Sequence, residues 1–379
     1  MKTDHAQRAL DKIAELSAGQ LDVVSLWRES TAAIATVVPH YEAPCWYTLD
    51  PASLLITSHF NEGMPQFPRE WLAHEYYGDD VNKLVDIARS KTGISTLHEA
   101  TDGDPSQSKR WQENVKFGGD QEMIARLQTK GGEVWGALGL YREPGQPLFS
   151  PEEQRFVSHA SSHLASGAQR ALLMAEAREP QGQDAPGLVI LTDRWQVEST
   201  TPGVGRWLSE LPDGDWEAGE LPSAVLAVAG RALRTATFPN APGEVAVSRV
   251  LSRGGTWVVL HAAALISTGT PRVAVIVEPA HPARITPLLM SAYGLTEREQ
   301  DVTRLVLQGR STDEIAEKLV VSTQTVQQHL KSVFDKTGVH SRRDLVGKVF
   351  FAHYEPRFRD NERRAATDKP LRGGPAPQP

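Results

Sequence analysis

The sequence is short of cysteine: Cys45 is the single one in 379 residues. That excludes an intramolecular disulfide, a cysteine-rich zinc or iron–sulfur site, and two-cysteine redox chemistry within one chain. No apolar run approaches the roughly 18 residues that a membrane helix needs. Met1 to Leu10 is polar and mixed in charge, unlike a secretory signal. These absences lead to the expectation of a cytoplasmic protein with no membrane partner. There is no Gly-x-x-x-x-Gly-Lys-Ser/Thr loop, no Gly-x-Ser-x-Gly elbow and no His-Glu-x-x-His pair, so catalysis has little support and a non-enzyme is expected. The start also lacks the acidic cluster and lysine setting of a phospho-receiver.

What is present is ordinary for globular protein: 40% hydrophobic and 23% charged residues, in a length that suggests two or three domains. Charge is unevenly placed. Residues 1–290 carry 25 Lys and Arg against 35 Asp and Glu, a net of −10, and residues 291–379 carry 15 against 12, a net of +3. An acidic body with a mildly basic C-terminal end points to nucleic acid there, although a solvated face gives the same number. All nine tryptophans precede residue 258.

Two proline-bearing stretches, Arg178–Pro186 and Pro279–Pro287, read as linkers, and Asp102–Ser108 reads as a surface loop. In the first block, 1–178, the pattern predicts a helix from Leu10 to Val38 and strands at Ala43–Leu49 and Leu54–His59. Mostly helical chain follows from Arg69 to Ser90. A hairpin, Gln121–Gln128 with Val134–Tyr141, leads into a long helix from Pro151 to Ala177. The second block, 186–280, pairs strands Leu188–Thr192 and Gln196–Thr200. Two short helices follow, near Val204–Leu211 and Ser223–Ala232, then strands at Val245–Leu251, Thr256–Ala264 and Arg272–Glu278. Both blocks are therefore α+β. The third, 291–350, is all-α. Residues 351–379 read as a disordered tail.

The third block carries the most specific signals. Thr296 with Glu299, and Ser311 with Glu314, form capping boxes. Gly309 suits the stop of the first helix. Val302, Leu305 and Val306 make the buried stripe of that helix, and Ile315, Ala316 and Leu319 that of the next. Ser322 caps a third helix that buries Val326, Leu330, Val333 and Phe334. Two helices across a short Val320–Val321 turn make a helix-turn-helix, whose second helix enters the DNA major groove. The outward positions are Gln324, Thr325, Gln327, Gln328 and Lys331. Glutamine reads base edges and lysine neutralises phosphate.

The run from Leu295 to Leu345 resembles the LuxR-type DNA-binding domain, the four-helix module of FixJ- and NarL-like regulators. Matching residues include Leu295, Thr296, Arg298, Glu299, Val302, Gly309, Ser311, Glu314, Ile315, Ala316, Leu319, Ser322, Thr325, Val326, His329, Val333, Lys336, Val339 and Arg342. Three positions depart. Thr337 replaces Leu and weakens a packing contact, Thr312 replaces Asn, and Gln327 stands where Lys or Arg is frequent, removing a phosphate contact. The resemblance implies double-stranded DNA as partner, with Arg342 and Arg343 near phosphate. With no phosphate loop, the chain is not one of the large ATP-binding relatives of this module. The first block resembles a GAF domain in its long first helix, its Gly-rich hairpin and the Leu148–Glu153 lead into the last helix. The second resembles a PAS domain in strand order, opening at Gly187–Asp193. Such modules sense small molecules or dimerise, and neither resemblance names a ligand or cofactor.

The whole therefore reads as a multidomain transcription regulator: two α+β sensor-like domains, GAF-like and PAS-like, before an all-α helix-turn-helix. A small-molecule effector, a homodimer and RNA polymerase are its expected partners. The dimer is expected to form through Val157, Ala160, Leu164, Ala168, Ala171 and Ala175 of the Pro151–Ala177 helix, with Gly167 alongside, unless that stripe packs on its own sheet. Two rival readings stay open: a module that titrates a protein partner without reading DNA, and an enzyme within the first block. Cys45 reads as a small buried hydrophobe rather than a redox or chromophore-attachment thiol. His159 and His163 read as a solvated or interface pair rather than a metal site. His329 is assigned a packing or phosphate-contacting role.

Overall fold

The computed structural model describes residues 2–62, 69–174, 186–238, 245–265, 270–280, 290, 293–307, 309–342 and 345. They fall in two compact units. The first takes in both sheet-bearing blocks and the second the C-terminal helices.

The first block opens with α1 (Lys2–Ala18) and α2 (Val23–Ala35). The expected single helix from Leu10 to Val38 is thus two. The Asp22 carboxylate caps a new start, accepting from the amides of Val24 and Ser25 at 3.0 Å each. Strands β1 (Tyr41–Leu49) and β2 (Ile56–Phe60) follow, then α3 (Arg69–Tyr77), α4 (Leu84–Arg89) and the short strand β3 (Ile94–Thr96). Asp102–Ser108 is a surface turn with more order than a loop. Asp104 caps a 3-10 turn at Pro105–Gln107, and Ser108 caps α5 (Lys109–Asn114) by accepting from Trp111 N–H. The hairpin β4 (Gln121–Gln128) and β5 (Val134–Arg142) leads to α6 (Pro151–Met174). The sheet is antiparallel in the order β2-β1-β5-β4-β3.

Alternation along the strands gives this sheet two different faces. Trp46, Leu138, Leu140, Met123 and Leu127 face α1, α2 and α6 in an apolar core. There Trp46 stacks on Trp27 at 4.5 Å, and its Nε1–H donates to Thr31 Oγ1. The α6 stripe belongs to the same core. Val157, Ala160, Leu164 and Ala168 are fully or almost fully buried. A Cβ on Gly167 would stand 2.7 Å from Leu26 Cδ2. This corrects the expected dimer surface for these four residues, which pack within one chain as the alternative had it, because small residues there admit α1 and α2; Ala171 is half-buried. Ala175 lies outside the described residues.

The second block contains β6 (Gly187–Thr192), β7 (Val197–Thr200), α7 (Val204–Ser209), α8 (Ser223–Thr237), β8 (Val247–Leu251), β9 (Trp257–Leu265) and β10 (Arg272–Pro279). Its strand order, β7-β6-β10-β9-β8, repeats that of the first sheet. Helix α8 extends beyond Ala232 because tertiary partners hold its polar last turn: Arg234 donates to the Tyr77 carbonyl at 2.9 Å and pairs with Asp79. From Ser223 to Leu233 every residue of α8 is buried, between its own sheet and α3. The approach to α3 is close, since a Cβ on Gly230 would lie 2.5 Å from the Ala73 carbonyl oxygen. One hydrophobic core therefore runs through both blocks. Two polar ties reinforce it. Asp50 holds Arg249 through its side chain and its backbone N–H, and Asp213 accepts from the His59 backbone N–H at 2.7 Å.

The second unit has α9 (Glu297–Leu307), α10 (Thr312–Leu319) and α11 (Thr323–Thr337). The chain is helical again at Arg342 and Leu345. Val302, Val306, Ile315, Val326, Val333 and Leu345 meet in a small core. Residues 346–379, with the expected tail, lie outside the described residues, as does most of both expected linkers.

Candidate nucleic-acid interface and sensor cleft

Both expected capping boxes form in the second unit. Ser311 accepts from Glu314 N–H while the Glu314 carboxylate accepts from Ser311 N–H, and Thr296 and Glu299 reciprocate in the same way. Gly309 adopts φ +78° where α9 stops. The turn between α10 and α11 is tight: Val320 sits at φ 54°, ψ 51° and is 89% exposed. Ser322 then caps α11, accepting from Thr325 N–H at 3.0 Å.

On α11, Val326, Leu330, Val333 and Thr337 are buried. Gln324, Gln327, Gln328 and Lys331 are exposed and form a row on the opposite side. Thr325 is half-buried, and its hydroxyl is hydrogen-bonded to Ser322 Oγ at 2.8 Å, so it helps to build the cap. His329 is half-buried on the flank of the helix, Phe334 also stays half-buried, and Gln327 is exposed. Thr337 is buried, and its hydroxyl donates to the Val333 carbonyl at 2.7 Å, which satisfies the polar atom that replaces leucine. Arg342 is half-buried, with Nη2 enclosed and lacking a partner among the described residues. Arg343 lies outside them.

One structural residue of this unit was legible only as a helix cap. The Glu299 carboxylate accepts from Ser332 Oγ and Lys336 Nζ, each at 2.6 Å, and so ties α9 to α11. Burial pushes its pKa up. The hydrogen bonds from Lys336, Ser332 and the Thr296 backbone outweigh that and hold it at about 2. The strut fixes the angle at which α11 presents its outer row.

In the first block, the sheet face turned toward α3 and α4 carries polar groups that sequence spacing did not reveal. Arg110 is buried, pairing with Glu75 and, at 3.1 Å, with Glu122. Asn82 and Asn114 also donate to Glu122, and Leu84 N–H donates to Glu75. The Arg110 guanidinium lies over the Trp71 ring. Beside this network opens a cleft of about 450 Å³ between α3 and α5. Cys45 is fully buried nearby and accepts from Asn61 Nδ2 at 3.1 Å. Burial pushes its thiol up to about 12, which keeps it protonated and a poor nucleophile. His159 is exposed and His163 half-buried on α6.

Residues 294–349 match the family described as bacterial regulatory proteins, luxR family. This segment is a LuxR-type helix-turn-helix. HTH-type transcriptional regulator Rv0890c of Mycobacterium tuberculosis is 52% identical over 55 residues, 14% of this chain and 6% of that protein. MalT of Yersinia enterocolitica, an HTH-type transcriptional regulator, is 38% identical over 60 residues, 16% of this chain and 7% of that protein. The matches thus span only a small part of these relatives. Among solved structures, a phycoerythrobilin-bound GAF domain from a cyanobacterial phytochrome aligns at 15% identity and TM-score 0.34, over 45% of this chain and 96% of that domain. A phycocyanobilin-bound GAF domain aligns at 16% identity and TM-score 0.33, over 44% and 96%. The LuxR-type assignment rests on the motif, the caps and the packed helix pair together. Among the described residues no helix is long and apolar enough to cross a membrane.

Proposed function

We propose that this chain is a cytoplasmic, sequence-specific DNA-binding transcription regulator without catalytic activity of its own, governed by a small molecule bound in its first block. The observation that carries the reading is the exposed row Gln324, Gln327, Gln328 and Lys331 on a helix whose other side is packed. In this reading the glutamines meet base edges, Lys331 and Thr325 border them, and Arg342 and Arg343 lie near phosphate. The second block is PAS-like and serves as the rigid partner of the first. A dimer would present two readers to half-sites about one helical turn apart. The dimer surface is then something other than the buried α6 residues Val157, Ala160, Leu164 and Ala168. RNA polymerase is the natural downstream partner.

The test compares Gln328→Ala and Lys331→Ala with the parent chain on a selected site and on random duplex. Loss of a base-reading side chain costs about 1–3 kcal/mol at its base pair. Lys331→Ala also reduces the slope of affinity against salt on both duplexes. Unchanged affinity in both variants removes α11 as the reader. Absence of salt-dependent duplex binding in the parent favours the rival reading, a module that titrates a protein. The sensor half is tested by the DNA affinity of the full chain with and without cell-extract metabolites. A ligand shifts that affinity only through its preference for one of two states.

A further inference from the structure

We propose that the cleft between α3 and α5 takes a small organic carboxylate, its charge held by Lys83 and Lys109 and its body against Trp71. This rests on the sensor reading above and names the ligand class of that site. Most of the charged groups that line the cleft already have partners. Arg110 is held by Glu75 and Glu122, and Glu75 also accepts from Leu84 N–H. Asp80 accepts from the backbone amides of Val81 and Arg110, each at 2.8 Å. Glu113 is paired with Lys116. Glu70 alone of the lining carboxylates lacks a partner among the described residues, and it stands exposed on the rim.

Two of the four lining cations, Lys83 and Lys109, are not committed in this way. Lys83 is only 8% exposed, yet among the described residues its ammonium has one hydrogen-bond partner, the Gly78 carbonyl at 2.7 Å. An ammonium carries three donors, so two of those of Lys83 have no protein partner among the described residues and are left for whatever fills the cleft. Lys109 lines the same cleft with no hydrogen bond or ion pair among the described residues. His74, on the wall between them, has a buried Nε2 without a partner. Burial first, then the charge of Lys109, hold its imidazole below the usual value. The unspent capacity of the cleft is therefore for an acceptor with negative charge. Its volume of about 450 Å³ falls in the range of small-molecule sites.

Benzoate and 2-naphthoate, with their matched amides and amines, are the probes, titrated into the full-length chain by calorimetry. The expected result is binding of the carboxylates about tenfold tighter than the amides, as a charged hydrogen bond is worth over a neutral one. Lys109→Gln, an exposed substitution, should erase most of that preference. Lys83→Met should do the same, with its thermal unfolding checked because Lys83 is buried. Amides or amines binding as tightly as the carboxylates would overturn the anion while keeping the cleft as a ligand site. A carboxylate preference unmoved by either substitution would place the anion elsewhere, and no binding by any probe would overturn the ligand class. The wider sensor reading is judged separately, by the effect of metabolites on DNA affinity.

Discussion

The two sheets of the first unit share a strand order but not an interior. In the second block the strands send Val189, Leu191, Val250, Val258, Leu260, Val273 and Val275 against α8, with Ser248 the polar exception. In the first block the corresponding layer holds Tyr47, Glu122 and Tyr141 beside Arg110 and Glu75. One architecture has been filled in two ways. An aliphatic filling close-packs without any polar group to satisfy. A charged filling gives up packing and requires every group to be paired, and where pairing stops at Lys83 a cleft is left. Buried ion pairs are weak devices for stability, since apolar replacements frequently do as well. The charged groups of the first sheet lie within its own interior layer, whereas Arg249 of the second sheet pairs outward with Asp50 of the first block.

The largest expected effect comes from breaking the charged interior. Arg110→Ala strands two buried carboxylates and should cost about 3–5 kcal/mol, read by urea unfolding of the full chain. Leu260→Ala in the twin sheet should cost a similar amount, about 2–5 kcal/mol, through cavity formation. The two differ in a second readout: only Arg110→Ala should abolish carboxylate binding. If Leu260→Ala abolishes it equally, the contrast between the interiors is not functional.

The LuxR-type reader extends the comparison to a carboxylate used as a strut. Glu299 has a folded-state pKa held below its ordinary value of 4.5, at about 2. A depressed carboxyl contributes stability that is fully present above about pH 4.5 and is lost as pH falls toward 2. Glu299→Gln should cost about 1.5–3 kcal/mol at neutral pH and flatten the acid limb of the unfolding profile. An unchanged acid limb would mean that the strut to Lys336 and Ser332 does not form in solution.

How much of this was readable beforehand depends on the range of each signal. The reader was legible because its determinants are local: two capping boxes, Gly309 and an apolar stripe at helical spacing all lie within a few residues of what they control. Most strands were legible from alternation. Helix α5 and strand β3 were missed because six and three residues are too few to show a period. The break at Asp22 was missed although its capping chemistry was present, because the apolar stripe continues across it. The charged interior had no sequence signature at all. Glu75, Arg110 and Glu122 come from α3, α5 and β4, and only the fold brings them together. The shared core was hidden for the same reason, since Gly230 looks like an ordinary helix weakness until Ala73 is seen against it.

That seam gives a smaller test. Gly230→Ala places a methyl group 2.5 Å from the Ala73 carbonyl oxygen, so α3 and α8 must separate. Overpacking of this kind costs about 1–3 kcal/mol. Because α3 also lines the cleft through Trp71 and His74, the substitution should weaken carboxylate binding from across the helix. Intact binding at reduced stability would show that the cleft does not feel the second block.

The smallest effect has the opposite sign. Val320 is β-branched, yet it occupies the left-handed region at φ 54°, ψ 51° with 89% of its surface exposed. That conformation costs an L-residue about 1–2 kcal/mol, and the exposed side chain buries too little surface to offset it. The turn must nonetheless be made here, because Val321 N–H closes on the Ala316 carbonyl at 3.0 Å and Ser322 must cap α11. Val320→Gly removes the strain and gives back about 0.5–1 kcal/mol through the greater freedom of the unfolded chain. A net gain of about 0.5–1 kcal/mol should remain, seen as a higher urea midpoint for the reader. DNA affinity separates two accounts of why valine is there. If the side chain only tolerates the turn, Val320→Gly binds DNA as the parent does. If it rests on the duplex, stability rises while affinity falls, and the strained turn belongs to the interface. A loss of stability would contradict both and show that Val320 does not hold the left-handed conformation in solution.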